Sequence, residues 1–185
     1  MPKNVMVVGT GTIGEPLIGL LAEHKDALGL DNVLFFKRTP LSDEKGKVEA
    51  LLRKGSKIVS SSDALSDFKQ LGFSEIEDVD NAYEDADVII DCTPSGNENW
   101  KSIYSSLDQS KRFMAQGSEH GFGQFFAWGI NNDVLENGSN KYLIASCNTH
   151  NIASIVKTFA LDQGRELVEG CLLYTSDAAD DGYRG

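Results

Sequence analysis

Positive charge is scarce in this chain. Seventeen Lys and Arg residues stand against 28 Asp and Glu, a net charge of −11. A surface that acidic repels a phosphodiester backbone, so no nucleic-acid partner is expected. The same charge does not exclude a small anionic cofactor, because the N–H groups at a helix N-terminus bind phosphate locally. Long apolar runs are missing as well. No stretch approaches the roughly 20 consecutive apolar residues that a membrane helix needs, so no membrane partner is expected either. Cysteine is sparse: Cys92, Cys147 and Cys171 form an odd set at wide, irregular spacing. That is not a disulfide framework, and no C-x-x-C or Cys/His cluster has zinc-ligand spacing. The start, Met1-Pro2-Lys3-Asn4, leads directly into a strand-like segment, without the apolar core and cleavage site of a signal peptide. Reduced thiols in a cytoplasmic protein are the expectation.

What is present is ordinary globular sequence, 41% hydrophobic and 24% charged, which places the chain among soluble folded proteins. Its 185 residues leave room for one well-packed domain and the beginning of a second. Strand-like and helix-like segments alternate. Asn4 to Val8, Val33 to Phe36, Lys57 to Ser60, Asp87 to Asp91, Arg112 to Gln116 and Lys141 to Ser146 read as strands. Thr12 to about Leu28 reads as a helix with Ile13, Leu17, Leu20 and Leu21 on one face, and Pro16 lies early enough in it to be tolerated. Ser42 to Lys54 carries Val48, Leu51 and Leu52 inward and is closed by Gly55. Ser62 to Leu71, Asn99 to Leu107 and Asn151 to Leu161 repeat the helical spacing. Such alternation implies parallel strands with crossover helices, hence an α/β doubly wound sheet. Residues 1–140 are expected to form a dinucleotide-binding domain of Rossmann type, with the glycine- and asparagine-rich stretch 118–140 bridging to the next domain.

Gly9-Thr10-Gly11-Thr12-Ile13-Gly14 is a G-x-G-x-x-G turn that comes after a strand and opens an amphipathic helix, the context a dinucleotide fingerprint requires. Gly9 permits the tight turn, Gly11 lets a pyrophosphate approach the backbone, and Gly14 lets helix and strand pack closely. The N–H groups near Thr12 and Ile13 would meet the phosphates. At the end of the second strand an NAD-preferring site usually carries Asp or Glu for the ribose 2′-hydroxyl. Here Phe36-Lys37-Arg38-Thr39 offers two cations and a hydroxyl instead. A 2′-phosphate would be welcome beside Lys37 and Arg38, so NADP is expected at least as readily as NAD, unless both cations are merely solvated. Thr93 and Pro94, after the strand that ends at Asp91, are candidate walls of the cofactor site. Cys92 reads as a small core residue.

Cys147 comes directly after the last strand and leads into a helix. There the helix dipole and free N–H groups favour a thiolate, and a thiolate adds to aldehydes. On composition alone a buried structural cysteine is the favoured reading. Ser146-Cys147-Asn148-Thr149, however, resembles the S-C-N-T active-site signature of archaeal-type (type II) glyceraldehyde-3-phosphate dehydrogenases. The resemblance extends to Gly11-Thr12-Ile13-Gly14, to Ala86-Asp87-Val88-Ile89-Ile90-Asp91 with Pro94 after it, and to Gln116-Gly117-Ser118-Glu119. It covers essentially residues 3–170, and its cysteine motif is its most specific part.

The resemblance implies a phosphorylating dehydrogenase of glycolysis or gluconeogenesis, in which Cys147 is the nucleophile that carries the acyl group as a thioester. Ser146 and Asn148 would line the glyceraldehyde 3-phosphate, with Thr149 close by, and Gly117 would lie against the cofactor. It implies a homotetramer for the complete enzyme. The family often has a second threonine after the first; this chain has His150 and then Asn151. The family's general-base histidine and phosphate-binding arginines lie in its second domain, and neither His24 nor His120 replaces the former. Residues 141–170 are therefore expected to begin a truncated catalytic domain, leaving an inactive fragment, or a chain that binds cofactor weakly or moderately and turns over poorly or not at all. Residues 171–185, from Cys171-Leu172-Leu173-Tyr174-Thr175, resemble a translated sequencing adapter; the alternative is a genuine strand and then an acidic turn. Rival functional readings are another cysteine-dependent aldehyde dehydrogenase, such as aspartate-semialdehyde dehydrogenase, a non-catalytic dinucleotide-binding domain, and a dihydrodipicolinate-reductase-like hydride transferase that leaves Cys147 without a task.

Overall fold

The computed structural model describes residues 3–117, 119–162 and 166; the expectation for residues 171–185 lies outside them. One sheet of eight strands dominates. In chain order these are β1 (Asn4–Val8), β2 (Asn32–Phe36), β3 (Lys57–Ser60), β4 (Ile76–Asp78), β5 (Val88–Asp91), β6 (Arg112–Gln116), β7 (Gln124–Phe126) and β8 (Lys141–Ile144). Across the sheet the order is β4-β3-β2-β1-β5-β6-β8-β7, and every pairing is parallel. The order reverses at β1, which has β2 on one side and β5 on the other. This is the doubly wound α/β sheet that the strand–helix alternation predicts.

Each face of the sheet has its own core, and the two-residue period of the strands decides which side chain goes where. Met6, Val8, Leu34, Ile89, Phe113 and Leu143 join Ala82 and Tyr83 of α4 (Val79–Asp85) on one face. Trp100 of α5 (Gly96–Ser102) and the nearby Tyr104 and Leu107 complete that layer. Val7, Val33, Phe35 and Ile58 point the other way. There they meet Ile18 of α1 (Gly14–Glu23), Val48 and Leu51 of α2 (Lys45–Arg53) and Phe68 of α3 (Leu65–Gln70). Burial on both faces is why the central strands read as unbroken apolar runs.

Several expectations change in detail. Helix α1 ends at Glu23 rather than near Leu28, passing into turns that close at Gly29 with φ +64°. Its inward face is Ile18 and Ala22, while Ile13 and Leu20 are exposed. Gly19 on that helix faces Leu51 and Lys54, so the α1–α2 contact sets the helix rotation. The helix expected from Asn99 begins at Gly96 and breaks at Ile103, before a single 3-10 turn, Tyr104–Ser106. Stretch 118–140 carries β7 and a 3-10 turn, Asn132–Glu136, with β7 paired to β8. Helix α4 and strand β4 were not expected. Asp78 caps α4 by accepting from the Asp80 N–H at 2.9 Å.

The chain divides into two compact units, residues 1–147 and 148–185. The second begins within α6 (Cys147–Val156), after which comes a π-turn, Lys157–Leu161. Ile152, Ile155 and Phe159, the apolar positions of the expected helix, are exposed. Among the described residues no helix is long and apolar enough to cross a membrane.

The core beneath α4 and α5 holds two phenols. Tyr104 is fully buried and its ring lies 5.8 Å from Tyr83 and 5.9 Å from Phe113. Burial, opposed by the hydrogen bond with Tyr104 and aided by the charge of Asp91, raises the Tyr83 hydroxyl from 10.0 to about 12, while burial and then Asp91 push Tyr104 higher still. Unfolded tyrosines ionise near 10, so the folded state holds protons that the unfolded state has released. Stability contributed by the two neutral phenols is complete below pH 10 and is lost as pH rises toward about 12. Ultraviolet titration of the phenolate band should show Tyr83 and Tyr104 ionising only with unfolding. A smooth titration of both near pH 10, with the fold intact, would contradict this packing.

Candidate functional site

Most residues expected at the cofactor site collect where the C-terminal ends of β1, β2 and β5 meet, the edge at which open α/β sheets bind ligands. The turn after β1 comes very close to the loop after β5. Gly9 has φ +97°, and a Cβ there would lie 3.0 Å from Thr93 Cγ2. A Cβ on Gly14 would fall 1.9 Å from the Gly9 carbonyl oxygen, so only glycine lets α1 start this close to the turn. Gly11 differs: it is exposed, and a Cβ on it would meet nothing within 4 Å. Thr12 and Ile13 are exposed beside it, and α1 opens with the Glu15 N–H donating to the Gly11 carbonyl at 3.0 Å.

A cleft of about 330 Å³ runs along this edge. Its walls include Gly9, Lys37, Arg38, Thr93, Pro94 and Asn99. Five residues expected at the cofactor site therefore share one cavity: Gly9, Lys37, Arg38, Thr93 and Pro94. A larger depression of about 670 Å³ lies between Leu52, Phe73 and Glu77, around the starts of β3 and β4. That is the N-terminal edge of the sheet, away from the strand-end loops that form the cleft.

Asp91 organises the cleft from below. Its carboxylate is fully buried and accepts from the Thr93 N–H at 2.8 Å, Thr93 Oγ1 at 2.6 Å, Asn99 Nδ2 at 2.7 Å and Tyr104 Oη at 2.8 Å. Four donors are what a buried carboxylate needs to offset its lost hydration. They fix two cleft-lining side chains, Thr93 and Asn99. In the sequence Asp91 reads only as a strand end; the alternation of apolar residues gives no sign of the donors converging on it.

The two cations differ. The backbone of Lys37 is tied to β3, its N–H donating to Val59 O at 3.0 Å and its carbonyl accepting from Ser60 Oγ at 2.8 Å. Its ammonium is paired with Glu44, from the 3-10 turn Ser42–Glu44 that precedes α2. Lys37 is thus buried and neutralised, not solvated. Arg38 is exposed, with no ion pair among the described residues.

Gly117, Ser146 and Cys147 gather at the ends of β6 and β8. The Gly117 N–H donates to Ile144 O at 2.9 Å, and a Cβ on Gly117 would lie 3.0 Å from Ser146 Cβ. Gly117 is therefore required by the approach of the β8 strand end, and it does not line the cleft. Cys147 is exposed and is the first residue of α6. Asn148, next in the helix, is exposed within the second unit. His24 and His120 are exposed, the latter 6.4 Å ring to ring from Phe125. Among the described residues no cluster of His, Cys, Asp or Glu could hold a metal ion.

The chain is similar to archaeal glyceraldehyde-3-phosphate dehydrogenases. It is 29% identical over 162 residues to that of Pyrobaculum calidifontis, an alignment covering 86% of this chain and 44% of the relative. The enzyme of Sulfolobus acidocaldarius is 26% identical over 174 residues, 92% of this chain and 48% of the relative. A glyceraldehyde-3-phosphate dehydrogenase of Methanosarcina acetivorans is 25% identical over 183 residues, 98% of this chain and 52% of the relative. The chain thus spans about half the length of the curated dehydrogenases it matches. No family model matches it.

The thiols differ in the same way as the cations. Cys92 is buried; its desolvation, with the charge of Asp91 as the lesser cause, pushes the thiol up to about 11. Cys147 is open to solvent. Alkylation near neutral pH and peptide mass mapping should therefore show Cys147 modified and Cys92 spared until the protein unfolds. Equal labelling of both in the native state would show that the β5 loop does not shield Cys92.

Proposed function

We propose that the chain carries the dinucleotide site and the nucleophile of a phosphorylating, NAD(P)-dependent glyceraldehyde-3-phosphate dehydrogenase. The observation that carries the reading is the open space over Gly11, flanked by exposed Thr12 and Ile13 at the start of α1 and lying on the edge that holds the cleft. A dinucleotide fits such a place. Its pyrophosphate would take the space over Gly11 and the N–H groups of the turn, its ribose the Lys37–Arg38 side, and Thr93 and Pro94 would wall the cleft. Bound there, the dinucleotide supplies the hydride acceptor.

The remaining chemistry belongs to the chain's own residues. The sulfur of Cys147, placed at a helix start, adds to the aldehyde carbon of glyceraldehyde 3-phosphate and afterwards holds the acyl group as a thioester. Inorganic phosphate attacks the thioester carbonyl, releasing 1,3-bisphosphoglycerate and returning the thiolate. Ser146 and Asn148, on either side of the sulfur in sequence, line the substrate, and helix-start N–H groups stabilise the oxyanion. The similarity to the archaeal dehydrogenases supports this assignment.

Gly11 provides a test that separates binding from folding. A methyl group added there meets no protein atom within 4 Å, and its φ lies outside the left-handed region. Gly11→Ala should leave stability to denaturant within about 0.5 kcal/mol of the parent, as for a surface change. It should weaken NADH and NADPH binding about ten-fold or more, because the methyl occupies the pyrophosphate's space. Titration by nicotinamide fluorescence reads the outcome. Unchanged affinity for both cofactors would remove the pyrophosphate from this turn and with it the proposed function.

A further inference from the structure

The dinucleotide site of the preceding proposal has a built-in preference, and the inference rests on that site. Lys37 is the cation best placed at the end of β2, and its backbone is held rigidly by Val59 and Ser60. Its ammonium is already engaged by Glu44, and the side chains of the pair are 11% and 28% exposed. An ion pair this far out of water is harder to break than a surface pair, since each partner would be left poorly hydrated. Lys37 also stands on the wall shared by the cleft and a small crevice lined by Thr10, Glu15, Glu44 and Lys47. In that crevice Glu15 sits 3.8 Å from Lys47, so its charges are also matched. Only Arg38 is left unpaired among the described residues at this end of the cleft.

We propose that Glu44 is a cofactor-discriminating residue: by holding the Lys37 ammonium it withholds that cation from a ribose 2′-phosphate and so favours the dinucleotide that lacks one. A 2′-phosphate arriving here carries close to two negative charges. It must either displace Glu44 from Lys37 or share that ammonium with a carboxylate of like charge, and both cost binding energy. A plain 2′-hydroxyl leaves the pair intact. Glu44 belongs to a turn outside the sheet and contributes no apolar contact to either core, so Glu44→Gln, which keeps its shape and an acceptor for Lys37, alters the charge with the least disturbance of the fold.

The test compares NADH and NADPH binding to the wild type, to Glu44→Gln and to the double variant Glu44→Gln/Lys37→Met, by nicotinamide fluorescence at fixed low salt. E44Q should tighten NADPH roughly ten-fold, the scale of a charge-assisted bond discounted for partial exposure. NADH should change less than about two-fold, and the double variant should lose the NADPH gain. Glu44→Ala repeats the comparison should the amide disturb the turn. An unchanged NADPH-to-NADH ratio in E44Q and E44A, with both cofactors still bound, overturns the selector alone. A selective loss of NADH affinity overturns it differently, by making Glu44 a direct acceptor for the 2′-hydroxyl. Failure of the wild type to bind either cofactor sinks the dinucleotide site itself, and the selector with it.

Discussion

A carboxylate taken fully out of water must be met by donors, and the way Asp91 is met shapes this edge of the fold. Its oxygens draw in the backbone and hydroxyl of Thr93, the amide of Asn99 and the phenol of Tyr104. Those donors come from the loop after β5, from α5 and from the 3-10 turn beyond it. One buried charge thus ties a strand end to the helix that covers it. Removing a donor would leave the charge uncompensated, which costs more than the hydrogen bond itself returns. The wall of the cleft is therefore stiff on the β5 side. A second buried carboxylate supports the same helix: Glu119, 8% exposed, accepts from the Asn97 N–H at 2.8 Å in the first turn of α5.

Opposite that wall, stiffness comes from close approach rather than charge. Gly9 and Gly14 bring the β1–α1 turn against itself and against Thr93, at distances no side chain could share. The two walls meet where the strand order reverses, because β1 hydrogen-bonds β2 on one flank and β5 on the other. A crevice at that place is a consequence of topology, since the connections from β1 and β5 leave toward opposite faces. The end of β2 adds Lys37 and Arg38 to its lining.

Much of this was legible in the chain. The central strands β1, β2, β3 and β6 appear within a residue or so of their expected limits, because burial on both faces makes them unbroken apolar runs bounded by polar residues. The glycine turn was legible because glycine is required there by sterics. What escaped has physical reasons too. Helix α4 carried its signal, Asp78 before Val79, Ala82 and Tyr83, yet it is a two-turn element in an acidic stretch whose polarity masks the period. Strand β7 is three residues at the sheet's edge, too short for an alternating pattern to show, and it pairs with β8. In the first turn of α5 the Asn97 N–H donates to Glu119, twenty-two positions away in the chain. Lys37 and Arg38 read alike as cations in sequence; only the turn that folds Glu44 back onto Lys37 distinguishes them.

That distinction bears on how so acidic a chain could hold an anion. With Lys37 neutralised by Glu44, the cleft has only Arg38 to offer as an unpaired cation among the described residues. The free N–H groups at the start of α1 are different, since they are dipoles fixed by the backbone and need no counter-ion. They act over a few ångströms, so a net charge of −11 spread over the surface, and screened by salt, scarcely weakens them. On the proposed reading, a pyrophosphate would be held by the geometry of the turn, and the charged side chains would be left to sort one dinucleotide from another. Discrimination would then change with one carboxylate while the glycine turn stays as it is.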